Sequence, residues 1–541
     1  MTASASMSHL PTHEVENQPI PRDGFDLWET DPILRDHVVL SEADTAALAN
    51  LGAKLGSAEM REAGREANRV EPKLISFDRS GRRLDEVRFH PGYHKLMDLA
   101  FSSGIASAAW EKNAKGGHTH YVAGSYMIGQ IEPGVNCPVA MTYAAVPSLA
   151  FAPELEKIWR PKLTARAYDT DLKPVEQKRA ATLGMAMTEK QGGSDVRANS
   201  TIATPDGDAY RLRGHKWFCS APMCDGFLTL AQAPGGLTCF LVPRWLEGER
   251  NSMHVMRLKD KLGNRANASS EIEYHDTLAY RVGDEGRGVP TIIEMVQHTR
   301  LGTAIAPAGL MRGALAEANW WVKGRSTFQR RLIDQPMMRA VLADLTLDFE
   351  GTTALALYIA RAFDSGSDED MAFARIAVAL SKFLGNKLAP TIVYEAMECL
   401  GGVGYTEDTP LPLLFRETPL NSIWEGSGNV ICLDVLRALT REPECGEALR
   451  ADLDKARGAN ATYDAALDQH WARWPALPAE AEARWFAESL ATLMTASVLL
   501  RFSTAAVSDA YVATRLNPTG RGRIYGATTG MDTGAILERL G

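Results

Sequence analysis

The stretch "NSIWEGSGN" at 421–429 sets one carboxylate, Glu425, between the indole of Trp424 and a pair of glycines. A carboxylate serves as a general base near neutral pH only where burial lifts its pKa toward that range. A turn flanked by a large aromatic fits that requirement. A helix start accounts equally for Ser427 and the glycines, with the acid near the positive end of the helix dipole, but it leaves the Trp–Glu pair unexplained. Two other stretches set polar groups beside glycines or aromatics. "MAMTEKQGGSDV" at 185–196 has Gly192 and Gly193, where a backbone can approach a ligand closely, and "RGHKWFCSA" at 213–221 places a hydroxyl two residues after Phe218. The seven cysteines have neither metal-ligand spacing nor the even count of a disulfide framework. No metal site is expected.

These residues need elements to hold them. A chain of 541 residues is too long for one core, so two to four packed units are expected. From about 27 to 180 the apolar spacing is helical, as in "EADTAALANLGAKLGSAEMREAGREAN", after an arm over residues 1–20. From Leu183 to Val282 short β-rich runs alternate with Gly, Pro, Asn and Asp, which predicts an antiparallel sheet or small barrel. "GDEGRGVPTIIEMVQ" opens a run of long helices reaching Leu439, and residues beyond 441 are helical again. The expected boundaries are 1–182, 183–288, 289–440 and 441–541.

A net charge of −9 argues against non-specific nucleic-acid binding by the whole surface, while leaving room for a local basic patch. The first residues lack a basic segment followed by an apolar run, so no signal peptide is expected. No apolar run approaches the roughly 18 residues that span a bilayer. A reduced, cytoplasmic protein without a membrane partner is the expectation.

Taken in order, the motifs resemble the acyl-CoA dehydrogenase family of flavoproteins over residues 50–440. "MTEKQGGSDV" and "RGHKWFCSA" are similar to its two flavin segments, and "KLGNRANAS" with "GDEGRG" to the close of its β-domain. "GRSTFQRRLIDQP" resembles its cross-subunit cofactor segment, and "GGVGY" with "IWEGSGN" its base-bearing turn. "GRRLDEVRFHPGYH" at 81–94 and the hundred C-terminal residues are similar to the AidB-type branch, in which a C-terminal helical domain binds double-stranded DNA. The implied fold class is multidomain α+β: a helical N-terminal domain, an antiparallel β-domain, a helical bundle and a C-terminal helical extension. The implied function is that of an FAD-containing protein of the adaptive response to DNA alkylation. Double-stranded DNA binding and weak activity on a short or branched acyl-CoA, such as isovaleryl-CoA, go with it. The alternative is a fully active short-chain acyl-CoA dehydrogenase with no DNA role. A homo-oligomer, by resemblance a tetramer, is implied as well.

Carried onto this sequence, the resemblance makes Glu425 the base that removes the α-proton. It places FAD against Met185, Met187, Thr188, Gly193, Ser194, Phe218, Cys219, Ser220, Ile423, Trp424, Ser427 and Asn429. Arg325 and Phe328 would reach a neighbouring subunit's cofactor. Residues 441–541 hold 11 Lys plus Arg against 13 Asp plus Glu, so DNA contact must come from a local cluster. Arg437, Arg515, Arg521 and Arg523 are the expected contacts, mainly to phosphate, because arginines within a glycine-containing loop can follow a backbone. A solvated surface loop is the other reading of that cluster.

Overall fold

The computed structural model describes residues 9–22 and 24–541; the first eight residues of the expected arm lie outside the described residues. Asp44 and Ser57 accept hydrogen bonds from the N–H groups of Ala47 and Met60, capping α2 (Thr45–Leu55) and α3 (Ala58–Arg69), which follow α1 (Pro32–Val38). The helical expectation then fails locally. Lys73–Phe77 (β1) and Arg83–Arg88 (β2) form an antiparallel hairpin, turned at Gly81 with φ +81°. Neither "KLISF" nor "RLDEVR" alternates cleanly, so this ribbon gives little periodic signal inside a segment whose spacing reads as helical. Four helices follow: α4 (Pro91–Ser102), α5 (Gly117–Gly129), α6 (Asn136–Leu149) and α7 (Pro153–Leu163). Nearly every residue of α5 and α6 is buried, so these two form the centre of the helical part rather than its surface.

The β-rich segment comprises β3 (Leu183–Ala186), β4 (Ile202–Asp206), β5 (Ala209–Ser220), β6 (Gly226–Ala233), β7 (Gly236–Pro243), β10 (Met253–Leu258) and β11 (Ser269–Val282). A two-residue hairpin, β8 (Trp245–Leu246) and β9 (Glu249–Arg250), interrupts it. The order β10-β11-β5-β4-β6-β3 is closed by β7, which pairs with both β6 and β11. Most pairs are antiparallel, but β3 runs parallel to β6. The sheet is therefore mixed, which corrects the purely antiparallel expectation. β3 enters from the helical part rather than from a hairpin, and a strand arriving that way is free to pair in either direction.

Three long helices form the bundle: α8 (Gly288–Gly324), α9 (Pro336–Ser365) and α10 (Asp368–Cys399). They meet at Gly385, where an added Cβ would lie 2.9 Å from Thr352 Cγ2 and 3.2 Å from Pro307 Cγ. Among the described residues, Asp368–Glu398 is the one helix long and apolar enough to cross a membrane, although no such run was expected. Its side chains are mostly buried within the bundle, so its apolarity is that of a core helix. After α11 (Leu411–Glu417) and α12 (Gly428–Arg441), the extension adds α13 (Pro443–Asp454), α14 (Ala461–Arg473), α15 (Ala483–Phe502), α16 (Ala505–Tyr511) and α17 (Thr533–Glu538).

The extension is seated on α9 by a row of buried acids. Asp344 and Asp348 bind Arg515, while Glu350 accepts from Ser503 and from Arg539. Tyr525 Oη donates to Asp348 at 2.9 Å, and Gly526 N to Asp344 at 2.9 Å.

Candidate active site

At the end of β3 the side chains alternate as strand geometry requires: Ala186 is buried, while Met185 and Met187 are half-buried. Thr188 is joined to β5 through its carbonyl, which accepts from Trp217 N at 2.7 Å. Gly193 packs on the same threonine so closely that a Cβ there would stand 2.4 Å from Oγ1. Ser194 is exposed on the loop. Beneath it lies Glu189, fully buried. It accepts from Lys216 Nζ at 2.8 Å, Thr201 Oγ1 at 2.6 Å and Ser200 N at 2.7 Å. Burial opposes its ionisation, but Lys216 and these donors outweigh it and hold the carboxyl well below its ordinary range.

On β5, Phe218 is 50% exposed and Ser220 is half-buried on the same face. Cys219 points the other way and is fully buried, so only its backbone reaches the face where sequence reasoning placed a contact. Phe218 stands half in solvent with Lys259 Nζ 4.8 Å from its ring centroid, and an aromatic exposed in this way suits a flat ligand.

The turn carrying Glu425 follows a short 3-10 segment at Leu420–Ser422 and precedes α12. Glu425 has φ +56° and Gly426 φ +102°, two successive left-handed residues. A non-glycine residue there is uncommon and is held by its surroundings. Thr299 Oγ1 donates to Glu425 Oε2 at 2.6 Å, and Arg300 Nε to the Glu425 carbonyl at 3.3 Å. Lys382 Nζ donates to the Gly426 carbonyl at 2.8 Å. Burial raises the Glu425 pKa, with the Thr299 hydrogen bond and the charges of Lys382 and Arg300 opposing it incompletely. Trp424 is half-buried, its Nε1 donating to Asn421 Oδ1 at 2.8 Å; Ile423, Ser427 and Asn429 are exposed around the turn.

Cys137 of α6 is buried, with the Ser220 hydroxyl, the Asn267 side chain and the Glu425 carboxylate among the polar groups that influence its thiol. Burial pushes this thiol up to about 12, which makes it a lining group rather than a nucleophile. Tyr121 also lies in the Glu425 field. Behind them His118 and His298 pack with Trp110, Tyr143 and Phe363, and burial lowers the two imidazoles to about 3 and about 4. Sequence reasoning missed Thr299, Lys382 and Cys137. Of these only Thr299 had a signal, one place before the arginine in "QHTR".

Arg325 ends α8, with Nη1 donating to the Asn17 carbonyl at 3.0 Å. It precedes a small hairpin, β12 (Ser326–Thr327) and β13 (Arg330–Arg331), whose tip residue Phe328 is 96% exposed.

The four arginines expected at DNA do not form one surface. Arg515 is buried against Asp344 (2.5 Å) and Asp348 (2.8 Å), so it is a structural ion pair and not a phosphate contact. Arg521 lies partly buried 3.8 Å from Asp348. Arg501 of α15 pairs with Asp452 at 3.2 Å. Arg437 and Arg523 are exposed. Arg484 of α15, also exposed, donates to Asn429 Oδ1 at 3.1 Å and so brings the extension to the start of α12.

A helical part, a closed mixed β-unit and a three-helix bundle around one half-buried glutamate define an acyl-CoA dehydrogenase fold. Residues 17–170 match the family described as "Adaptive response protein AidB N-terminal domain". Residues 184–277 and 286–440 match the middle and C-terminal domains of acyl-CoA dehydrogenases. The Escherichia coli protein described as "Putative acyl-CoA dehydrogenase AidB" is 42% identical over 527 residues, spanning 95% of this chain and 96% of that one. The chain belongs to the AidB branch of the acyl-CoA dehydrogenase family. Among solved structures, Caenorhabditis elegans ACDH-11 in complex with C11-CoA is 27% identical, with a TM-score of 0.82 over 95% of this chain and 94% of that one. The Bd2924 apo-form is 28% identical, with a TM-score of 0.82 over 91% of this chain and all of that one. Coverage this high reaches into the C-terminal helices, beyond the last family match at residue 440.

Proposed function

We propose that the chain binds FAD and double-stranded DNA in the adaptive response to DNA alkylation. It would also dehydrogenate short or branched acyl-CoA thioesters slowly, using Glu425 as the base. The observation that carries the chemistry is the half-buried Glu425, raised in pKa by burial and held at one carboxylate oxygen by the Thr299 hydroxyl. The residues present fit a flavin: Phe218 offers a flat exposed ring, and the Thr188 and Ser194 hydroxyls have no hydrogen bond among the described residues. Thr188, Ser194 and Ser220 would hold the cofactor's polar edge, with Met185, Met187 and Phe218 against its rings. Gly193, Ile423, Trp424, Ser427, Asn429 and the Cys219 backbone would complete the site.

FAD, when bound, supplies the hydride acceptor. Glu425 removes the α-proton of the thioester, and its carboxylate is aimed by the Thr299 hydroxyl. Tyr121, Cys137 and the neutral aromatic–histidine cluster exclude water, which keeps the base from being levelled by solvent. An acyl-CoA ligand is supported by the C11-CoA complex of ACDH-11. The exposed Phe328 tip favours a partner subunit, and we propose a homotetramer in the cytoplasm. The segments 1–182, 183–288, 289–440 and 441–541 are the proposed functional units. The last contributes DNA contact through exposed residues such as Arg523, together with the exposed Arg437 at the end of the 289–440 segment.

Anaerobic mixing with a panel of acyl-CoA thioesters tests the chemistry, because bleaching of the flavin reports dehydrogenation directly. Slow bleaching by isovaleryl-CoA is expected, and none by any thioester removes the enzymatic part. The intact Glu425–Thr299 pair favours a second reading, an efficient dehydrogenase without a DNA role. Fast bleaching together with no retention of a DNA duplex would select it.

A further inference from the structure

Among the described residues three lysines are fully buried: Lys178, Lys216 and Lys382. Lys178 contacts Asp225 at 2.6 Å and Lys216 contacts Glu189 at 2.8 Å, as the cost of burying a charge requires. Among the described residues Lys382 has no carboxylate within 4 Å, unlike Lys178 and Lys216. The one hydrogen bond of its ammonium goes to a backbone carbonyl, that of Gly426, at 2.8 Å. Gly426 directly follows Glu425, and both hold left-handed backbone conformations.

We propose that Lys382 is a positioning residue for the base: its Nζ holds the Gly426 carbonyl, and with it the strained turn that aims Glu425, while its charge favours the Glu425 carboxylate. The proposal rests on the reading of Glu425 as the base. Arg300 is the other cation nearby, but its guanidinium is bound by Asp434 at 2.7 Å, and Asp434 is shared with Arg375 at 3.2 Å. Arg300 still acts on Glu425, but less strongly than Lys382 does. Lys382 keeps its field, and the Glu425 charge is the strongest electrostatic influence on it. The groups facing Glu425 are Thr299 and Arg300 from α8, Lys382 from α10 with Lys387 further out, Tyr121 from α5, and Cys137 from α6. Lys382 is the one among them that is fully buried, cationic and free of a carboxylate contact. Burial lowers its pKa to about 7, so its charge is set by the same desolvation that raises Glu425.

The test reads protonation in the flavin-loaded protein, independently of turnover. The Glu425 carboxyl band is identified in infrared difference spectra by its loss in Glu425→Gln and then titrated. In Lys382→Met the midpoint is expected to rise by about one pH unit or more, tenfold in proton affinity. Lys382→Arg, which keeps the charge and a donor, is expected to retain the wild-type midpoint. Flavin content checks that each variant is folded. An unchanged midpoint in folded Lys382→Met, or an equal shift in Lys382→Arg, overturns the proposal. The base assignment fails separately, through Glu425→Gln that still dehydrogenates.

Discussion

Thr299 Oγ1 donates a 2.6 Å hydrogen bond to Glu425 Oε2 across 126 residues of sequence, joining the middle of α8 to the turn before α12. The hydroxyl fixes one carboxylate oxygen and leaves the other for a proton. In the proposed role of Glu425 as the base, this contact orients the carboxylate before substrate arrives.

Replacing Glu425 by Gln is therefore expected to reduce any dehydrogenation by about 10²–10⁴-fold while flavin stays bound. Because the folded Glu425 pKa is raised and the base must be ionised, wild-type activity should climb with pH through that elevated value. A pH–rate profile with its lower limb at the ordinary carboxylate range would remove Glu425 from the role.

Purified protein is expected to be yellow, with about one FAD per chain. Thr188→Ala combined with Ser220→Ala should weaken FAD binding by roughly 5- to 150-fold, at about 0.5–1.5 kcal/mol for each hydrogen bond. Flavin fluorescence titration of the apoprotein measures it. A wild-type chain that stays colourless after incubation with FAD rules the cofactor out.

For DNA, Arg437→Ala with Arg523→Ala should weaken duplex binding and flatten its salt dependence by about 0.9 in log–log slope for each phosphate that is no longer neutralised. Arg515→Ala should act differently. It strands Asp344 and Asp348 without their cation, costing about 3–5 kcal/mol of stability. Gel-shift assays at several salt concentrations, with thermal melts alongside, separate the two effects. Equal binding by wild type and the Arg437/Arg523 double variant would place the DNA surface elsewhere.

Two buried carboxyls give stability its own pH dependence. Burial pushes Glu132 up to about 8 and Glu417 up to about 7, against an ordinary value of 4.5. Between 4.5 and these values the folded chain binds more protons than the unfolded one, so stability falls as pH rises through that window. The slope is at most about 1.4 kcal/mol per pH unit for each group. Glu132→Gln should flatten the dependence of melting temperature on pH between about 5 and 8, and an unchanged slope would mean that Glu132 is ionised in the fold.

Much of the element order was legible because glycine, proline and capping residues punctuate it: "FDSGSDEDM" separates α9 from α10, and "CLGG" ends α10. The β1–β2 hairpin was not, since two short strands inside helical neighbours yield little periodicity. Glu425 could be singled out by its unusual neighbours, yet what controls it could not. Thr299, Lys382 and Cys137 come from three different helices, and apart from the arginine that follows Thr299 nothing local marks them. The arginines of the extension misled for a related reason. The nearest acid to Arg515 along the chain is Asp509, yet its partner is Asp344, 171 residues away. Separation in sequence says nothing about partners in space.

That pairing sets how the chain can vary. The row Asp344, Asp348 and Glu350 on α9 and the cations Arg515 and Arg539 beyond it form a seam in which either side alone is a buried, uncompensated charge. A single change on one side is costly, whereas a matched pair of apolar replacements can be nearly neutral. Substitutions at 344 and 515 are therefore expected to travel together, so that the bundle and its extension drift through sequence space as one unit.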